Sequence, residues 1–190
     1  ITVDGTWRWP EEKIVVAGDS AGGGLALALC LWLKNHKEPL PSGVIAMSPW
    51  TDLTISGESV ETNFEKDPLF GKTRDSMLYN KDYLGDNDPT NEYISPLFGD
   101  YEGFPPLLIQ VGSYEMLLSD STRVAKKAKE AGGKVKLSIY EGMFHVFQMA
   151  MLLMPESKKA WAEIKRFLHY LDAEEKEENE MQNISKEEKA

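Results

Sequence analysis

Nowhere does the chain hold the run of about 18 consecutive apolar residues that a membrane-spanning helix requires, so no span is expected. It has one cysteine, Cys30, which excludes an internal disulfide. Set in an apolar stretch, that thiol reads as a small buried hydrophobe. Positive charge is scarce as well: 21 Lys and Arg face 31 Asp and Glu, for a net charge of −10. Nucleic acid as a partner needs clustered cations to neutralise phosphates, and is excluded on that ground. No basic, then apolar, then small-residue signal precedes the first motif, and Ile1 is not an initiator methionine. The expected location is the cytoplasm, with any targeting segment lying upstream.

What is present suffices for one domain, since 42% of the 190 residues are hydrophobic. The negative charge is unevenly placed. Residues 172–190 carry eight carboxylates against three lysines, with only Met181 and Ile184 as large apolar side chains. Such a segment buries too little surface to order itself, and we expect a frayed helix end running into a mobile acidic tail. The expected division is therefore one domain over residues 1–171 and a tail over 172–190.

Ile14-Val15-Val16-Ala17 is a short apolar run ending in glycine, as a buried parallel strand would be. Residues 21–35 are rich in Ala and Leu and apolar on nearly every face, which predicts a helix deep inside the protein. Pro39 and Pro41 forbid its continuation. Val44-Ile45-Ala46-Met47 predicts a second strand and Leu107-Leu108-Ile109-Gln110-Val111 a third. A polar stretch lies between them, with a helix expected over residues 75–84. A helix follows over 119–131, with Ser119 or Asp120 expected to cap it and Gly132-Gly133 to stop it. Val135, Leu137 and Ile139 alternate with polar residues, predicting a fourth strand near a sheet edge. Pro155 opens a last helix with an apolar stripe at Trp161, Ile164, Leu168 and Leu171. Alternating strands and helices imply an α/β fold, a mostly parallel sheet with helices on both faces.

Gly18-Asp19-Ser20-Ala21-Gly22 fits the pattern G-x-S-x-G between a predicted strand and a predicted helix. That context lifts a serine hydroxyl clear of the sheet on a sharp turn, and the helix start offers backbone N–H groups to a developing oxyanion. Ser20 is the candidate nucleophile and Ala21 N–H the candidate oxyanion donor. A serine hydroxyl needs a base. His36 sits at a helix end, where the dipole accounts for it, and His169 lies on the last helix facing solvent. His145, just after the fourth strand, is the candidate base. The third member is a carboxylate after the third strand, and two are available. Glu115 lies in the loop and is preferred; Asp120, where a helix start wants negative charge, is second.

These blocks, together with Ser48-Pro49-Trp50-Thr51-Asp52-Leu53, Ser95-Pro96 and Glu141-Gly142-Met143-Phe144-His145-Val146-Phe147, resemble bacterial esterases of the hormone-sensitive-lipase group. The resemblance covers residues 14–171. It implies an α/β-hydrolase fold and hydrolysis of short- to medium-chain acyl esters, without metal or organic cofactor. It places Ser20, Glu115 and His145 at the family's catalytic positions, although the acid there is more often aspartate. The family also carries a His-Gly-Gly-Gly segment supplying most of the oxyanion hole, and N-terminal helices capping the acyl pocket. Residues 1–12 contain one glycine, Gly5, and no histidine. The chain thus resembles the C-terminal part of such an enzyme, and a fold truncated at the N-terminus is expected.

Two other functions remain open at this point: a ligand-binding protein without turnover on the same fold, and an inert fragment of the esterase. The expected partner is a small-molecule ester. Self-association through an exposed edge of the first strand is also expected. Trp50, Met143, Phe144 and Phe147 suit either a pocket wall or core packing.

Overall fold

A computed structural model describes residues 13–71 and 83–187. The four apolar runs are strands: β1 (Val15–Asp19), β2 (Gly43–Met47), β3 (Leu107–Gly112) and β4 (Val135–Tyr140). They pair in parallel in the order β1-β2-β3-β4, so order along the chain is also order in space. The helices are α1 (Ala21–Asn35), the single turn α2 (Ser59–Thr62), α3 (Leu118–Glu130) and α4 (Pro155–Glu187). The helix expected over residues 75–84 falls almost wholly outside the described residues.

Parallel strands need crossover helices, and the two faces of the sheet are covered differently. Val16, Val44, Leu107 and Val135 lie in register across the four strands. They pack against Leu27 and Leu31 of α1 and Val124 and Ala125 of α3. Alternate residues point the other way: Val15, Ile45 and Leu108 meet Ile164, Phe167 and Leu171 of α4. Covered on both sides, β3 is buried at every position. Each fully buried Leu or Ile in these layers contributes about 1.5–3 kcal/mol.

Three local expectations are corrected. First, α1 is buried on one face only: Leu25, Leu29 and Trp32 are exposed at successive turns. Second, the buried stripe of α4 is Ala160, Ile164, Phe167 and Leu171, whereas Trp161 and Leu168 are each 39% exposed. Both rows satisfy three- and four-residue spacing, and packing on Ile45 and Leu108 selects one. Third, neither Ser119 nor Asp120 caps α3. Leu117 is the residue at its start, without a side-chain cap, and both predicted caps reach instead to residues 51–59. At the other end Gly132, at φ 81°, ends α3 in the left-handed region as expected. The α4 backbone continues helically through Glu187, into the acidic segment.

The strand-to-helix turn after β1 depends on Gly18. A Cβ there would collide with the carbonyl of Gly22 in the first turn of α1. Gly18→Ala is therefore expected to cost about 1–3 kcal/mol or more, as for an overpacked core. A lowered urea midpoint checks this; an unchanged one would mean that the turn relaxes freely.

Candidate active site

Each candidate residue follows the C-terminal end of a strand, where open α/β sheets gather their sites. Ser20 stands on the turn out of β1, at φ 54° and ψ −124°, a conformation rare for a residue with a side chain. Three backbone bonds hold it there. Its N–H donates to Met47 O at 2.9 Å, and its carbonyl accepts from Gly24 N–H at 3.1 Å and Trp50 N–H at 2.9 Å. Its side chain makes no capping bond to α1, which leaves Oγ free to point elsewhere.

Oγ points to His145, 2.8 Å from Nε2. His145 follows β4 by way of Gly142, at φ 71°, in a loop pinned to the one after β3. Gly142 N–H donates to Ser113 Oγ at 2.8 Å and Tyr114 N–H to Met143 O at 3.1 Å. On its far side, His145 Nδ1 lies 2.9 Å from Glu115 Oε2. An ionised carboxylate only accepts, so Nδ1 carries the proton and Nε2 is left to accept from Ser20. Glu115 is fully buried, and its Oε1 accepts from Gly112 N–H at 2.5 Å and Ser48 Oγ–H at 2.8 Å. Ser20, His145 and Glu115 thus form one hydrogen-bonded line. Ala21 opens α1 directly behind it, with an N–H in the first turn, where no preceding helical carbonyl exists to accept it.

A family profile for the alpha/beta hydrolase fold matches residues 3–149. The chain belongs to this alpha/beta hydrolase family. An esterase of Acinetobacter venetianus is 45% identical to it over 162 residues, which is 85% of this chain and 53% of that protein. An acetyl-hydrolase of Streptomyces hygroscopicus is 38% identical, over 80% of this chain and 50% of its own length. The crystal structure of an esterase from the bacterial hormone-sensitive lipase family superposes with a TM-score of 0.81 at 40% identity, covering 86% of this chain and 55% of that one. The chain therefore spans about half the length of the relatives it matches.

Within this member of the family the other candidate acid, Asp120, is not part of the line. It is 2% exposed and accepts from Thr51 N–H at 2.7 Å and Asp52 N–H at 2.9 Å. It ties α3 to the loop after β2. Burial, and secondarily the nearby Asp52 charge, outweigh these donors and push its pKa from 3.8 up to about 7. For Asp52 burial also opposes the charge, but bonds from Ser56, Thr54 and Arg123 prevail and hold it below the ordinary range. The raised Asp120 value means that the folded state binds its proton more tightly than the unfolded state. Its contribution to stability is full below the ordinary carboxylate range and is lost as pH rises to about 7. Asp120→Asn should flatten that part of the profile, read as urea midpoints from about pH 4 to about pH 8. An unchanged slope would show that the titration belongs to another group.

Residues that sequence reasoning did not assign surround the candidate site. Phe70 lays its ring against His145, tilted, with centroids 4.4 Å apart. Asp67 accepts from Phe70 N–H at 3.0 Å and from Met116 N–H at 3.0 Å, so it links that ring to the Glu115 loop. Asn63 donates to the carbonyl of Glu115 at 2.9 Å. Asn63 and Asp67 reach partners 52 and 49 positions away in sequence, Phe70 reaches further still, to His145, and no local pattern announces them. Beside Ala21 a mostly apolar cavity of about 380 Å³ is walled by Gly22, Leu25, Trp50, Leu53 and Ile94. Trp50 is thus a wall residue, whereas Phe147 is fully buried against Tyr140 and belongs to the core. His36 is exposed and stacks on Trp32, and His169 is exposed on α4, both outside the site. Among the described residues no helix is long and apolar enough to cross a membrane.

Proposed function

We propose that this fold hydrolyses carboxylic esters of short to medium acyl chains, with Ser20 as nucleophile, His145 as general base and Glu115 as the supporting acid. The single observation that carries the reading is the hydrogen-bonded line from Ser20 Oγ through both ring nitrogens of His145 to Glu115. Ser20 Oγ attacks the ester carbonyl carbon while its proton passes to His145 Nε2. The carbonyl oxygen becomes an oxyanion, to which Ala21 N–H donates. His145 then gives the proton to the departing alkoxide, leaving an acyl-serine. Water attacks that acyl group, loses a proton to Nε2, and the acid leaves as Ser20 recovers its proton. Throughout, Glu115 accepts the Nδ1–H bond and stabilises the imidazolium.

The test combines turnover of a nitrophenyl ester with covalent labelling of Ser20 by an organophosphonate. Hydrolysis that tracks the fraction of Ser20 left unlabelled supports the reading. A folded chain that binds esters without turnover or labelling is instead a binding protein, and one that does neither is inert.

We also propose that the chain self-associates through the edge of β1. Among the described residues β1 pairs only with β2, and Leu29 and Trp32 of the following helix are exposed. An apolar edge of this kind invites a second copy. The chain is expected to run above single-chain mass in solution, and Ala17→Lys on that edge to shift it downward. A monomer at all concentrations contradicts this.

A further inference from the structure

Ser48 stands at the end of β2 with nothing in the chemistry above to occupy it, yet it is fully buried and held at φ 47°. Backbone of that kind is unfavourable for a residue with a side chain. Its N–H donates to Gln110 O at 2.7 Å, which locks it to β3. Its hydroxyl has two partners on two different loops. It donates to Glu115 Oε1 at 2.8 Å and accepts from the N–H of Val146, the residue after His145, at 3.1 Å.

We propose that Ser48 is a positioning residue whose hydroxyl sets the distance and angle between Glu115 and His145. The proposal rests on the catalytic reading of that pair. Glutamate has one more rotatable bond than aspartate, so a buried glutamate aims its carboxylate less firmly unless both oxygens are held. Here Oε2 faces His145, and Oε1 is fixed by Gly112 N–H and by Ser48. The Gly112 bond comes from the same short segment as Glu115 and moves with it. Ser48 comes from a different strand and joins the acid to the histidine loop, so it alone of the two donors refers one loop to the other. Removing the hydroxyl leaves Oε1 half-held and Val146 N–H without an acceptor, and the line from Ser20 to Glu115 loosens.

The primary variant is Ser48→Ala, which keeps Cβ and so leaves no space for a water to replace the hydroxyl. The rate of Ser20 phosphonylation should fall about 10- to 100-fold, as for groups that orient a reacting side chain, while the orphaned Val146 N–H lowers the melting temperature by roughly a few degrees and leaves the chain folded. In a Glu115→Gln background the same change should add less than about twofold, because both act through one contact. A wild-type rate in Ser48→Ala, or the full factor repeated in the Glu115→Gln background, overturns the proposal. If Ser48→Ala does not fold, Ser48→Cys, whose thiol fills the space but bonds Oε1 more weakly, takes its place, with a fall in the same direction expected and a wild-type rate overturning the proposal.

A second readout separates this proposal from the catalytic reading. The low-field proton resonance of the His145 Nδ1–H bond requires no turnover. If wild-type Ser20 is never phosphonylated, the catalytic reading fails, and this resonance alone decides about Ser48. Its presence in wild type and loss in the variant supports the positioning role; an unchanged resonance refutes it.

Discussion

In an active parent enzyme, replacing Ser20 or His145 by alanine is expected to lower ester turnover by about 10⁶, each nearly as much as both together. The size follows from the geometry: among the described residues Ser20 Oγ has one base within reach, His145 Nε2 at 2.8 Å, and the imidazole has one hydroxyl to activate. Losing either member leaves the other without its task, so the effects do not add. Neither change should unfold the chain. The Ser20 side chain caps nothing, and the backbone bonds that hold its turn survive truncation to Cβ. Stopped-flow hydrolysis with matching circular dichroism measures this. Equal losses in the single and double variants are the expected result; a Ser20→Ala chain that keeps its turnover would place the nucleophile elsewhere.

The second large effect separates the two carboxylates. Glu115→Gln should lower turnover by about 10⁴, because an amide offers the histidine a neutral acceptor, or a donor, where a charge stood. Asp120→Asn should leave turnover within about threefold, since Asp120 bonds backbone N–H groups of Thr51 and Asp52 and an asparagine oxygen still accepts them. The ratio of the two turnover numbers is the measurement. A crippled Asp120→Asn beside a nearly normal Glu115→Gln would reverse the assignment of the acid.

Much of this arrangement is legible in the sequence because the signals are local. Gly18 and the apolar runs mark where β1 and α1 meet, and the prolines after Lys37 mark where α1 must stop. The parallel architecture follows from alternation of elements alone. Where local reasoning fails, two patterns coincide or a partner lies far away. On α4 the rows through Trp161 and through Ala160 share Ile164 and Leu171, so spacing alone does not choose between them. Asp120 looks like a helix cap because its sequence neighbours permit it, but its acceptor role is fixed by a loop 68 and 69 positions away. Ser48 reads as an ordinary turn residue before a proline. Its importance arises only when the loops after β3 and β4 close around it. The exposed row on α1 is misjudged for another reason: composition says that a helix is apolar, but not which neighbour covers each side.

The hydrogen bond between Ser20 and His145 spans 125 positions of chain, from the first strand of the sheet to the loop beyond the fourth. Neighbouring strands are also neighbours in sequence, so the sheet can grow one crossover at a time, each closing a modest loop. The nucleophile and its base meet only when β4 has docked. Reactivity of Ser20 is therefore a clock for the docking of β4. During refolding, helical signal should return first and phosphonate labelling later, and the interval between them measures how long β4 takes to find β3.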